Sequence, residues 1–264
     1  ALLNKDFRQA IAFGFDRTAY ASQVNGESGA SKLLRNLFVP PAFVQADGKN
    51  FGELVKEKLV TYGDEWKDVN LDDAQDGLYN PEKAKQLLDE AGYKDVDGDG
   101  LRENKDGSKL KITFAARTRD EANESLVQQY LNWWKEIGLD VQLYTGRTIE
   151  LNSFYDKIQA DDPEIDVFAA GWSTGYDPNP EGLFGETAKF NFERYVDPEG
   201  TAIMKKISST DAFDSVKNIE FYKEWQKYVH DKAFIFPTLV GESITAVNKR
   251  VKYYDTSIGT KDSK

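Results

Sequence analysis

No cysteine occurs among the 264 residues, which removes disulfides, thiolate nucleophiles, cysteine metal sites and any thiol for lipid attachment within this sequence. Histidine is nearly as scarce. The single His230 lies towards the end of an apparent helix, EFYKEWQKYVHDKAF, where such a residue more often caps or meets the helix dipole than catalyses. Basic charge is short as well: 34 Lys and Arg against 45 Asp and Glu leave a net charge of −11, which repels phosphate backbones, and no local basic patch argues for nucleic acid. No apolar run approaches the length that spans a bilayer, and Ala1-Leu2-Leu3-Asn4-Lys5 does not read as a leader peptide. The sequence is then expected to be either cytosolic or an excised piece.

What the chain does have is a core's worth of apolar side chains, 40% hydrophobic with 13% aromatic. Asn4 can cap a helix through LNKDFRQAIAFGFD, with Phe7, Ile11 and Phe15 along one face, and a second helical stretch covers Arg17 to Val24. A start directly in a packed helix suggests a cut at a domain boundary. Gly26 to Tyr79, rich in Gly, Pro and Asp, reads as a long ordered loop with short helical turns. Asn80-Pro81 opens the clearest helix, NPEKAKQLLDEAG, with Ala84, Leu87, Leu88 and Ala91 as its buried stripe. Lys109–Ala116 alternates as a strand, and a helix with Leu126, Tyr130, Trp133, Trp134 and Ile137 follows it up to Gly138. Leu139–Tyr144, Thr148–Ala160 and Ile165–Ala170 then read as strand, helix and strand. This order predicts an α/β fold with a largely parallel sheet covered by helices. A polar segment, a helix over about Ser215–Asp231 and a last apolar strand, AFIFPTLVGESITAV, complete residues 1–250, and 251–264 have the composition of a linker or disordered tail.

Two stretches carry candidate chemistry. In EIDVFAAGWSTGYDPNP, Val167 to Ala170 predict a buried strand, while Gly171, Gly175, Pro178 and Pro180 end regular structure and leave Trp172 and Tyr176 for a loop to present. Such a loop suits recognition, because Trp and Tyr give contact area at low entropic cost and no nucleophile stands beside a base. The same aromatics could equally cap the core. The second stretch places Asp95, Asp97, Asp99, Gly100, Glu103 and Asp106 at positions one, three, five, six, nine and twelve of a calcium-binding loop, with the Leu101 carbonyl at seven. Asp at position twelve and a strand after the loop depart from the EF-hand, so a polar connection satisfied by Asp and Gly is the alternative. A bound cation there would be a structural clip, with no base or nucleophile nearby.

Several segments together resemble the oligopeptide-binding branch of the extracellular solute-binding proteins that serve ABC importers. They are LNKDFRQAIAFGFDR at 3–17, NPEKAKQLLDEAGY at 80–93, DGDGLRENKDGSKLKITF at 97–114, GLDVQL at 138–143 and DVFAAGW at 166–172. The stretch VPPAFVQADGKNFGELVKEKLVTYGDEW at 39–66 is similar to streptococcal and lactococcal lipid-anchored members in particular. The resemblance implies a periplasmic-binding-protein-like lobe, the third domain of a protein about twice this length, without catalysis. It implies oligopeptides, an ABC permease and the opposite lobe as partners, and an extracellular, cell-surface location through a lipid anchor outside these residues. It also implies that Gly171, Trp172, Ser173, Thr174, Gly175, Tyr176 and Asp177 line the peptide site. Gly175 stands where many members have the Asp that pairs with the peptide's amino terminus, and Asp177 could supply that charge. Cofactors are expected to be none beyond a possible structural Ca²⁺. Against this binding role stand a secreted carbohydrate-active enzyme using paired acids such as Asp161 and Asp162 or Glu164 and Asp166, and a calcium-stabilised surface interaction module. The paired acids read more simply as turn and strand-end residues.

Overall fold

Asn4 begins the first helix as expected: its Oδ1 accepts from the backbone N–H of Asp6 (2.8 Å) and Phe7 (3.2 Å), two donors that the helix cannot satisfy itself. In the computed structural model, which describes residues 1–27, 29–30, 34–39, 44–67, 69, 71, 79–172, 179–240 and 247–252, this helix is α1 (Lys5–Phe13). It is followed by α2 (Arg17–Asn25), a hairpin of β1 (Gln45–Ala46) and β2 (Lys49–Asn50), α3 (Phe51–Lys56) and α4 (Pro81–Glu90). The expected loop over 26–79 thus holds a hairpin and a helix. The missed signal was Asp47-Gly48, whose φ values of 51° and 76° supply the left-handed turn that joins two short strands.

The central unit is β3 (Lys111–Ala115), α5 (Glu121–Glu136), β4 (Asp140–Leu143), α6 (Leu151–Gln159) and β5 (Val167–Phe168). Its three strands form a parallel sheet in the order β4-β3-β5, with Ile112 opposite Val141 and Phe114 opposite Val167. This is the α/β arrangement that the strand and helix order predicts. Alternation along β3 sends Ile112 and Phe114 to one face, where they join Phe7, Ile11, Leu88, Trp134 and Ile137, and sends Ala115 to the other, with Phe154 and Ile158 of α6. Trp134 Nε1 also donates to the Ile11 carbonyl at 3.1 Å, tying α5 to α1. Gly138, at φ +85°, ends α5, and a Cβ there would lie 3.1 Å from the Arg102 side chain.

Helices α7 (Glu181–Phe184), α8 (Pro198–Ile207) and α9 (Ser215–Lys232) build a second core around Trp225, Phe184, Leu37 and Phe51. The expected polar segment therefore contains two helices. Asp197-Pro198 opens α8 as Asn80-Pro81 opens α4, with Asp197 Oδ1 accepting from Gly200 N at 2.8 Å.

Two strand expectations need correction. The stretch 165–170 is no buried strand: β5 has two residues, both half-buried, at the edge of the described sheet, and Ala169 and Ala170 are exposed. The last apolar stretch makes, among the described residues, a single bridge between Leu239 and Leu34 rather than a strand. Pro237 has no N–H to give a ladder, and the segment is held by side chains instead. Phe236 packs on Phe15 of the first core and Phe234 stacks on Tyr195 of the second. Residues 241–246 and 253–264, which include most of the expected tail, lie outside the described residues.

Candidate functional site

Parallel strands that point the same way leave their carboxyl ends at one side of the sheet, where chain connections diverge and a crevice opens. Here Ala116, at the end of β3, and Val167–Trp172, through and beyond β5, line a cleft of about 1640 Å³. The segment 233–240 and the turn around Phe192 line it as well. Among the described residues the edge strand β5 pairs with β3 alone, and the small, exposed Ala169 and Ala170 continue it into the cleft.

Trp172 combines the two roles that its sequence context left open. Its ring packs on Phe192 (centroids 5.0 Å) and Phe190 (5.9 Å) as part of the core below α6, and the same partly buried ring lines the cleft. Gly171, exposed, lines the cleft beside it. Ser173, Thr174, Gly175, Tyr176 and Asp177 lie outside the described residues.

The cleft contains groups that the sequence did not single out. Arg117 and Arg119 line it just past β3, and Arg117 lies over the Tyr155 ring at 5.9 Å. Glu193 is partly buried in its wall, and desolvation pushes its carboxyl up to about 7, with its own backbone N–H and then Arg194 pulling the other way. Nothing in the NFERY stretch marks Glu193 in advance, since its burial comes from residues distant in sequence.

His230 does not serve the dipole of its helix. Burial first, and the nearby Arg17 charge second, lower its pKa to about 3, so the ring is neutral. Its Nε2 sits 2.9 Å from the Asn36 carbonyl, to which it donates, and this fastens α9 to the segment before β1.

The acidic loop folds around an ammonium. Lys109 Nζ donates to Asp97 Oδ2 (2.6 Å), Asp99 Oδ2 (2.6 Å) and Glu103 Oε1 (3.0 Å), and these bonds, led by that to Asp97, raise its pKa. Asp95, Asp97 and Asp99 converge as the spacing predicts, close enough for one ion to reach all three. Asp95 also accepts from Gly98 N (2.7 Å) and Gly100 N (2.9 Å), and Leu101 N donates to Asp99 at 2.8 Å. Asp106 turns away to Ser108, whose hydroxyl lies 2.7 Å from it. A divalent cation would thus compete with Lys109 for the same carboxylates.

One acid of each pair has structural partners. Asp162 accepts from Tyr144 Oη (2.9 Å) and Lys157 Nζ (3.0 Å), and Asp166 accepts from Thr113 N (2.8 Å) at the start of β5.

Residues 1–193 match the model for bacterial extracellular solute-binding proteins, family 5 middle region. The chain belongs to this family. The oligopeptide-binding protein SarA of Streptococcus gordonii is 41% identical over 254 residues, and the oligopeptide-binding protein OppA of Lactococcus lactis subsp. lactis strain IL1403 is 37% identical over 252. Over a shorter stretch of 85 residues, the oligopeptide-binding protein AliA of Streptococcus pneumoniae is 89% identical. The SarA match covers 90% of this chain and 38% of that protein, so the chain spans well under half the length of such relatives. Lactococcal OppA, solved in a closed conformation with an endogenous peptide, superposes with a TM-score of 0.71 at 26% identity, over 90% of this chain and 40% of the other. This family-5 fold is what the sequence resemblance implies. Neither the carbohydrate-active enzyme nor the calcium-stabilised module finds support among these relatives, which carry binding-protein names.

Proposed function

We propose that the cleft holds an extended oligopeptide and that the chain is one lobe of an extracellular binding protein delivering peptides to an ABC importer, without catalysis. The observation that carries this reading is the edge strand of the described sheet, β5 with Ala169 and Ala170, entering a large cleft walled by Trp172 and Phe192. An extended peptide can add its backbone to a strand edge whatever its side chains, while roomy, hydrated walls accept varied ones. Affinity then comes with little sequence selectivity. Relatives named as oligopeptide-binding proteins, matched over less than half their length, support the lobe assignment. Closure of a second lobe over the ligand would give the permease two states to distinguish. On this reading the full protein sits outside the cell, held by a lipid anchor beyond these residues. Among the described residues no helix is long and apolar enough to cross a membrane.

Calorimetry with a mixture of short peptides, and with mannohexaose as the comparison ligand, tests it. The 264-residue chain is expected to bind peptides weakly and mannohexaose not at all, because half of a two-lobed site forfeits half of its contacts. Tight peptide binding would overturn the half-site reading, and preference for the sugar would overturn peptide recognition itself.

A further inference from the structure

Of the acids that line the cleft, Asp161, Asp166, Glu181 and Glu193, Glu193 is the one with a buried carboxylate oxygen, Oε2, that lacks a partner among the described residues. The turn that carries it is pinned from three sides and so holds it in place. Buried Asn191 donates from Nδ2 to the carbonyls of Phe184 (3.3 Å) and Gly185 (3.2 Å), and Phe192 lies against Trp172. Arg194, in the left-handed region at φ 54°, donates to the carbonyls of Gln159 (2.9 Å) and Asn191. Its guanidinium is thereby committed to backbone oxygens, and Glu193 gains only a weak Coulombic pull from it. The backbone N–H of Glu193 itself offsets part of the desolvation, but a buried carboxylate oxygen without a donor is costly, and the carboxyl keeps its proton near neutral pH until a cation arrives.

We propose that Glu193 receives the ammonium group of the bound ligand, either a peptide's amino terminus or a lysine side chain, beside the Trp172 and Phe192 rings. This rests on the peptide reading above. Both rings line the same cleft, and its apolar wall reduces the water that would screen the pair. Binding would draw the proton from Glu193, so affinity rises with pH as the carboxyl ionises and falls again once the amine itself loses its charge. Arg117 and Arg119, which line the same cleft, disfavour a bare ammonium near themselves; of the other acids there, Asp166 already accepts from Thr113 N, Glu181 from the Ser208 hydroxyl, and Asp161 is exposed to water.

NMR titration of the 264-residue chain decides the matter with three probes: pentaalanine, N-acetylpentaalanine, and an N-acetylated pentapeptide carrying one lysine. The carboxyl of Glu193 is followed directly alongside affinity. Free pentaalanine is expected to bind about tenfold more tightly than its acetylated form and to lower the Glu193 midpoint, as a charge-assisted bond of ordinary strength would. Glu193→Gln should remove that tenfold advantage while leaving the acetylated probe unaffected. If the acetylated lysine peptide recovers the advantage, side-chain ammonium is accepted too, and if it does not, the terminus is the source. Equal binding of all three probes, with no movement of the Glu193 midpoint, overturns the inference and leaves the peptide reading intact. Failure of every probe to bind overturns the peptide reading and this inference with it.

Discussion

The Asp95 loop and the Trp172 cleft both gather carboxylates, and the two regions treat them in opposite ways. In the loop, Asp97, Asp99 and Glu103 share one lysine, and Asp95 is spent on backbone N–H groups. One positive charge is shared among three negative ones within about a dozen residues, at the surface, where water screens the excess. In the cleft, Glu193 is desolvated and its Oε2 has no partner among the described residues, in a wall made of residues far apart in the chain. The contrast teaches that a dense acidic motif can be chemically complete within itself. A lone acid, met with nothing in sequence to announce it, can be the group that waits for a ligand.

The comparison can be broken most severely from the aromatic side. Phe192 is almost fully buried and supports both Trp172 and the turn of Glu193, so Phe192→Ala should cost about 3 to 5 kcal/mol of stability, read by urea denaturation. An equal loss from Asp95→Ala in the exposed loop would erase the distinction between the regions. A smaller effect is expected from protonation. Between about pH 4.5 and 7 folded Glu193 keeps a proton that the unfolded chain has released, so its contribution to stability falls as pH rises. His230 works with the opposite sign: between about pH 3 and 6.5 the unfolded chain holds the proton, so stability rises with pH. The two slopes oppose each other where the windows overlap. Glu193→Gln should expose a rising slope and His230→Gln a falling one, each at most about 1.4 kcal/mol per pH unit, measured by denaturation across that overlap. Parallel curves for both variants would show that neither group is desolvated. The smallest effect belongs to the loop. Wild type is expected to melt at the same temperature with calcium or chelator, because Lys109 already serves the carboxylates, whereas Lys109→Met should melt lower and regain stability with calcium. A wild-type melt that drops with chelator would restore the calcium reading of the Asp95 spacing.

Local signals carried most of the fold. Asn4, Asn80 and Asp120 cap their helices by side-chain bonds to backbone N–H groups one turn in, a geometry that needs only neighbouring residues. The β3–α5–β4–α6–β5 order was legible for the same reason, since Ile112 and Phe114 alternate and Trp133, Trp134 and Ile137 repeat at helical spacing. Asp47-Gly48 and Asp197-Pro198 were equally local and were passed over among polar neighbours. The site was less legible. Trp172 stood out because a Gly-rich stretch follows an apolar run, but its packing on Phe192, twenty residues on, did not.

By itself the sequence determined most of the long helices, the parallel sheet, the family and the acidic cluster, because caps, periodicity and short motifs act between residues a few positions apart. The tertiary structure alone decided which charges are answered. Lys109 closes the loop, His230 is neutral against Asn36, and Glu193 is stranded in the cleft, because desolvation depends on what packs around a group and not on what adjoins it in the chain.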